Sequence, residues 1–183
     1  MNVLASKGQL RASFLRWALV TVPACLLLGF MAGQIGGGPG SLWFQSLTKP
    51  DIFPEPKWFG IVWTILYAMI GFAVALICAA WGARGRTAAL IVFVLHFLLQ
   101  LSWTPVFFGA YQMTIALYVL VGVVVTLLLV MALFWRVRRL AALLLIPYLA
   151  WVCFASVLNY QFLELNPDAD GVDPTQAVQR IEF

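Results

Sequence analysis

The chain has 183 residues, of which 63% are hydrophobic and only 10% charged, with a formal net charge of +4. Soluble domains usually carry about 25% charged residues, so this composition excludes an ordinary soluble enzyme and points to an all-α integral membrane protein. The basic residues sit at the ends of apolar runs, which makes them topology signals and leaves nucleic acid without support as a partner.

No charge occurs from Trp17 to Thr48, Trp58 to Ala83, Thr87 to Trp135 or Leu140 to Leu163. Each interval can cross about 30 Å of hydrocarbon, and the third is long enough to cross twice, so five transmembrane helices are expected. Residues 1–13 form a polar basic arm. The first span runs from Phe14 to Ile35 and carries Pro23, a point where it can kink. Its apolar part outlasts a signal peptide, so it reads as a span.

The run GGGPG at 36–40 ends that helix. A long first loop follows, with Pro50, Pro54 and Pro56 among Trp43, Phe44, Ile52 and Phe53. Prolines suit a segment outside the regular hydrogen-bonded part of a span, and a loop that can bury aromatic rings is a candidate lid. Further spans are expected over 58–81, 87–108, 113–135 and 140–163, the last with Pro147 inside it. Residues 14–163 are therefore one five-helix domain, and 164–183 form an acidic, flexible tail.

Five crossings place eight basic residues on the N-terminal side: Lys7, Arg11, Arg16, Arg84, Arg86, Arg136, Arg138 and Arg139. Lys49, Lys57 and Arg180 fall on the other side with all seven acids. In a bacterial inner membrane this bias puts the N-terminus in the cytoplasm and the first loop outside.

No charge lies deep within a span, which removes the usual relay of a proton-driven pump. His96 and Gln100 are one turn apart on one helical face, with Trp103 three residues beyond. His96 suits either an internal hydrogen bond or contact with a ligand, and metal ligation is the poorest fit. Trp63 pairs with Tyr67 at i,i+4, and Trp151, Ala155 and Asn159 repeat at the same interval. Such stripes serve helix packing or line a cavity. Hydrolase, phosphate-loop, dinucleotide and metalloprotease motifs are absent, and Cys25, Cys78 and Cys153 read as packed thiols without metal-ligand spacing. What remains is an internal ligand cavity, aromatic and weakly polar, capped by the first loop.

The order and spacing of particular residues add a family. Trp43-Phe44, Leu47, Lys49-Pro50, Pro54, Trp58, Trp63-x-x-x-Tyr67, Gln100-x-x-Trp103, Phe107-Phe108-Gly109 and the run from Pro147 to Tyr160 resemble the tryptophan-rich sensory protein and translocator protein family, also called the peripheral benzodiazepine-receptor family. The resemblance implies a five-helix fold, often dimeric, that binds porphyrins and related tetrapyrroles, with no obligatory cofactor and with porphyrin or haem as ligand. It implies a cavity lined by Trp63, Tyr67, Gln100, Trp103, Phe107, Trp151 and Ala155, with Trp43 in the cover; His96 and Asn159 complete the candidate site.

Gln100 stands where the family commonly has asparagine, so an amide is kept with longer reach. Glu164 stands where sterol-binding relatives have arginine, and sterol recognition is not carried over. Three functions are expected to compete: sensing, buffering or transport of tetrapyrroles and other large apolar molecules; light- or oxidant-dependent porphyrin breakdown at Trp63 and Trp151; and a ligand-binding scaffold for a protein partner. Membrane lipid is a further partner. For a homodimer, Gly29 and Gly33 or Ala116 and Gly122 offer small-residue contacts.

Overall fold

A computed structural model of the chain describes residues 6–172. The ends of the expected arm and tail, 1–5 and 173–183, lie outside the described residues. Helix α1 spans Lys7–Gln34. It starts seven residues before the expected Phe14, because Ser6 and Gln9 form a capping box: Gln9 N donates to Ser6 Oγ at 3.2 Å and Ser6 N to Gln9 Oε1 at 2.8 Å. At 1.5 Å per residue its 28 residues extend about 42 Å, longer than the hydrocarbon thickness.

The first connection contains a 3-10 turn, Ile35–Gly40, and a short helix α2, Leu42–Ser46. The turn needs left-handed backbone at Gly37 and Gly38, and Ser41 Oγ caps α2 by accepting from Phe44 N at 3.2 Å. Lys49 closes the other end of α2, donating to the carbonyls of Phe44 and Leu47, the latter at 2.8 Å, with its ammonium 4.5 Å from the Phe44 ring. Partial burial draws the Lys49 pKa below its ordinary value.

Helix α3 spans Pro56–Cys78, with Pro56 in the first turn, where a missing N–H costs nothing. It stops short of the expected Trp81 because Arg86 takes its last carbonyls, donating to Ile77 O at 3.2 Å and Cys78 O at 2.9 Å. Helix α4, Arg86–Thr104, widens at Pro105 into a π turn, Pro105–Gly109. Helix α5 covers Met113–Val137. The last span is two helices, α6 at Arg139–Leu143 and α7 at Ile146–Leu165. Pro147, expected inside one continuous helix, instead lies in the first turn of α7.

Among the described residues, five helical stretches are long and apolar enough to cross a membrane. One core cluster joins α3 through α7 around Ile70, Val123, Leu127, Phe134 and Tyr148. A second, at the end where the first connection lies, gathers Trp43, Phe44, Leu47, Phe107, Phe108, Met113, Leu158 and Phe162. Helix α1 lies at the edge, and its buried residues among those described are the small Ala18, Cys25, Gly29 and Ala32.

The residues expected to support dimer contacts are mostly used within the protomer. Gly29 faces the Tyr67 ring, Ala116 is fully buried, and Gly122 faces Leu99. Of the three thiols, Cys25 and Cys78 are buried, whereas Cys153 is exposed on α7 and is not packed as expected.

Candidate functional site

Helices α1 and α3 pack closely where Gly71 meets Val22 and where Gly29 meets Tyr67, and the space beside Gly33 and Gly60 is open. Between them and α4 and α7 lies a cavity of about 410 Å³, within the range typical of small-molecule sites. Trp63 and Tyr67 come from α3, Gln100 and Trp103 from α4, Phe107 from the π turn, and Trp151, Ala155 and Asn159 from α7. Gly38, Pro39, Phe44 and Phe53 of the first connection, with Pro56 at the start of α3, complete the lining as a roof. The cavity also has a side opening: Gly33 and Gly60 line it, are exposed and have no neighbouring atom within 4 Å of a Cβ position, and Phe30 beside them is 66% exposed.

The walls are aromatic. Trp63 stacks on Tyr67 with ring centroids 5.3 Å apart, Trp103 stacks on Phe107 at 5.2 Å, and Trp151 meets Phe59 edge-on at 5.7 Å. Gln100 Nε2 donates to Tyr67 Oη at 3.1 Å, which leaves Gln100 Oε1 buried without a partner. Trp151 Nε1 is also buried and unpaired. Unmade bonds of this kind cost stability. Among the described residues, the cavity lining has no charged side chain and no histidine, cysteine or methionine.

Asn159 is held more firmly than a free ligand contact would be. Its Oδ1 accepts from Trp103 Nε1 at 3.2 Å and its Nδ2 donates to Met113 O at 2.9 Å, so the amide joins α7 to α4 and α5 while one surface meets the cavity. Trp43 is 4% exposed and lies outside the lining, wedged 5.6 Å from Phe107 and 5.2 Å from Tyr111. It supports the roof from behind.

His96 is also outside the lining, although it shares a helical face with Gln100. It is 1% exposed, with Nδ1 2.8 Å from Thr126 Oγ1 and Nε2 3.1 Å from Tyr148 Oη. Thr126 donates its own proton back to Gly122 O at 2.7 Å, so His96 Nδ1–H must be the donor to Thr126 and Nε2 the acceptor from Tyr148. The imidazole is a neutral bridge among α4, α5 and α7. His96→Ala is expected to cost about 2–4 kcal/mol by orphaning both hydroxyl partners and leaving a void. Unfolding in detergent measures that loss, and ligand affinity per folded protein should stay within about twofold, under 0.5 kcal/mol.

Gly29, Phe44, Phe59 and Phe162 line the cavity but were not among the sequence candidates. Phe162 follows Asn159 by three residues on α7, a spacing that extends the same face. Gly29 carries no such signal, because a missing side chain is informative only beside its neighbour.

The model of the TspO/MBR family matches residues 21–165. A tryptophan-rich protein TspO of Chlorobaculum tepidum is 38% identical over 144 residues, covering 78% of this chain and 91% of that protein. The translocator protein of Ovis aries is 36% identical over 144 residues, covering 75% and 83%. Protein CrtK of Rhodobacter capsulatus is 30% identical over 145 residues, covering 75% and 90%. The matched region takes in all but the first part of α1, the whole roof and every lining residue, and with five membrane-length helices the chain is a multi-pass integral membrane protein that belongs to the TspO/MBR family.

Proposed function

We propose that the protein binds a porphyrin-type tetrapyrrole in the roofed cavity of a bacterial membrane and thereby senses, buffers or moves tetrapyrrole intermediates. The observation that carries this reading is an uncharged cavity walled by aromatic rings from three helices, Trp63 and Tyr67, Trp103, and Trp151. Flat rings on three helices favour a flat conjugated ligand. The gap beside Gly33 and Gly60 gives substituents that do not fit inside a route out of the cavity. Family membership supports the ligand class. Sterol is left out, since Tyr160 Oη donates to Glu164 Oε1 at 2.8 Å and occupies the acid that stands in place of arginine.

A protoporphyrin titration in lipid nanodiscs tests the reading. Saturable binding is expected, weakened about three- to tenfold by either Gln100→Leu, which removes both amide atoms including the Nε2 bonded to Tyr67, or Trp151→Phe, which trims one wall ring. Wild type without saturable binding would sink the proposal. Porphyrin mass, followed in dark and in light, should remain unchanged; a new product that disappears in a Trp63→Phe, Trp151→Phe double variant would move the assignment to porphyrin breakdown.

A further inference from the structure

We propose that the segment after α7 is a latch on the cavity roof, with Asn166 and Asp170 as the positioning residues that set how fast ligand enters and leaves; this rests on the ligand-binding reading above.

The roof is held mainly by aromatic contacts. Phe44 packs 5.2 Å from Phe108 and 5.3 Å from Phe162, and Phe53 meets Phe162 at 5.6 Å. Such contacts are not strongly directional, so they hold the roof down without fixing its register. Register comes from Asn166. Thr48 N donates to Asn166 Oδ1 at 2.7 Å, and Asn166 Nδ2 donates to Thr48 O at 3.0 Å and to Phe162 O at 2.9 Å. One amide thus completes a two-bond pair with the roof backbone and anchors it to the last turn of α7. Thr48 directly precedes Lys49, which closes α2, so the pinned point is the rear edge of the roof helix.

Asp170 works at the start of α5. Helix α5 has no side-chain cap from its own Gln112. Asp170 supplies one from the tail: Oδ1 accepts from Met113 N at 2.5 Å and Thr114 N at 3.2 Å, and Oδ2 from the Thr114 hydroxyl at 2.5 Å. The next residue, Gly171, donates its N–H to Tyr111 O at 2.8 Å. Tyr111 has φ +59°, an uncommon left-handed conformation for a tyrosine, and its ring lies 5.2 Å from Trp43 of α2. The tail therefore holds the α4–α5 turn in the shape against which Trp43 is seated.

The Thr48–Asn166 pair is exposed, and bonds in contact with water exchange readily for water. The device is suited to opening and closing. A second route, the gap at Gly33 and Gly60, makes the inference open to refutation.

The test compares wild type with Asn166→Ala, Asn166→Asp and Asp170→Ala in nanodiscs, reading protoporphyrin association and dissociation by stopped flow and backbone hydrogen exchange without ligand. Asn166→Ala should raise both rates about five- to tenfold with a smaller change in Kd, and should speed exchange over residues 42–49. Asn166→Asp keeps an acceptor for Thr48 N and should fall between. Asp170→Ala should raise exchange at 111–114 and speed ligand release. Faster roof exchange with unchanged ligand rates would overturn the gating role and assign traffic to the gap between α1 and α3. Unchanged exchange over 42–49 in folded Asn166→Ala would overturn the latch itself. Absence of saturable binding by wild type would overturn the functional reading and the gating built on it, while the hydrogen-exchange result would still judge the latch.

Discussion

Gly71→Ala should destabilise the protein by about 2–4 kcal/mol, the largest loss expected from adding a single methyl group anywhere in the α1–α3 contact. A Cβ at this position would lie 2.5 Å from Val22 Cα, 2.9 Å from Val22 Cγ2 and 3.0 Å from Thr21 O. Two of these are backbone atoms, which cannot rotate away, so α1 must move as a body. That movement also breaks the bond from Thr21 Oγ1 to Gly71 O, now 2.8 Å long. Lipid is as apolar as leucine, so association of α1 depends on close packing and interhelical bonds, the two things this methyl removes. Gly60→Ala is the control, since nothing lies within 4 Å of its Cβ position. Equal unfolding midpoints for the two variants in one detergent would show that the close approach at Gly71 carries no weight.

The second large effect is on binding. Gly29→Ala should weaken protoporphyrin binding at least about tenfold, or 1.4 kcal/mol. The new Cβ would sit 2.2 Å from Tyr67 Cε2 and 2.5 Å from Cζ, so the ring has to shift. Tyr67 stacks on Trp63 and receives the Gln100 bond, so its shift disturbs two walls and the orientation of the unpaired Gln100 Oε1. In a Tyr67→Ala background the same Gly29→Ala change should be nearly silent, because the clashing ring is gone. Additive losses in that double-mutant cycle would mean that Gly29 acts through something other than Tyr67.

The expected spans were legible because charge marks the ends of membrane helices strongly. Arg86, Arg136 and Arg139 all sit within a few residues of the helix ends in the structure. Ends set by hydrogen bonds were harder to read. The Ser6–Gln9 box was available in the sequence, yet polarity alone suggested a start at Phe14. The break before Pro147 was also marked, but proline tolerates both a kinked helix and the first turn of a new one, and the neighbouring sequence does not choose.

For the cavity, i,i+4 spacing groups Trp63 with Tyr67 and Trp151 with Ala155, and all four lie in the lining, since a helical face is a property of one segment. For His96 the spacing left two readings open, and the internal hydrogen bond is the one the fold realises. The face it shares with Gln100 continues one turn deeper, where Thr126 and Tyr148 meet it from other helices. Which partner waits opposite a face is a property of the fold, and the same holds for Asp170, whose bonds reach back 56 and 57 residues to α5.

The bond between Thr48 and Asn166 spans 118 residues. During synthesis the roof segment emerges early, between the first two crossings, but Phe107, Phe162 and Asn166 do not yet exist to receive it. The α1–α3 hairpin can form while the ribosome is still making α4, whereas the roof must wait for almost the last turn of α7. The cavity is thus finished after the helices that surround it are threaded, and a nascent chain stopped before Phe162 lacks the ring against which Phe44 and Phe53 close.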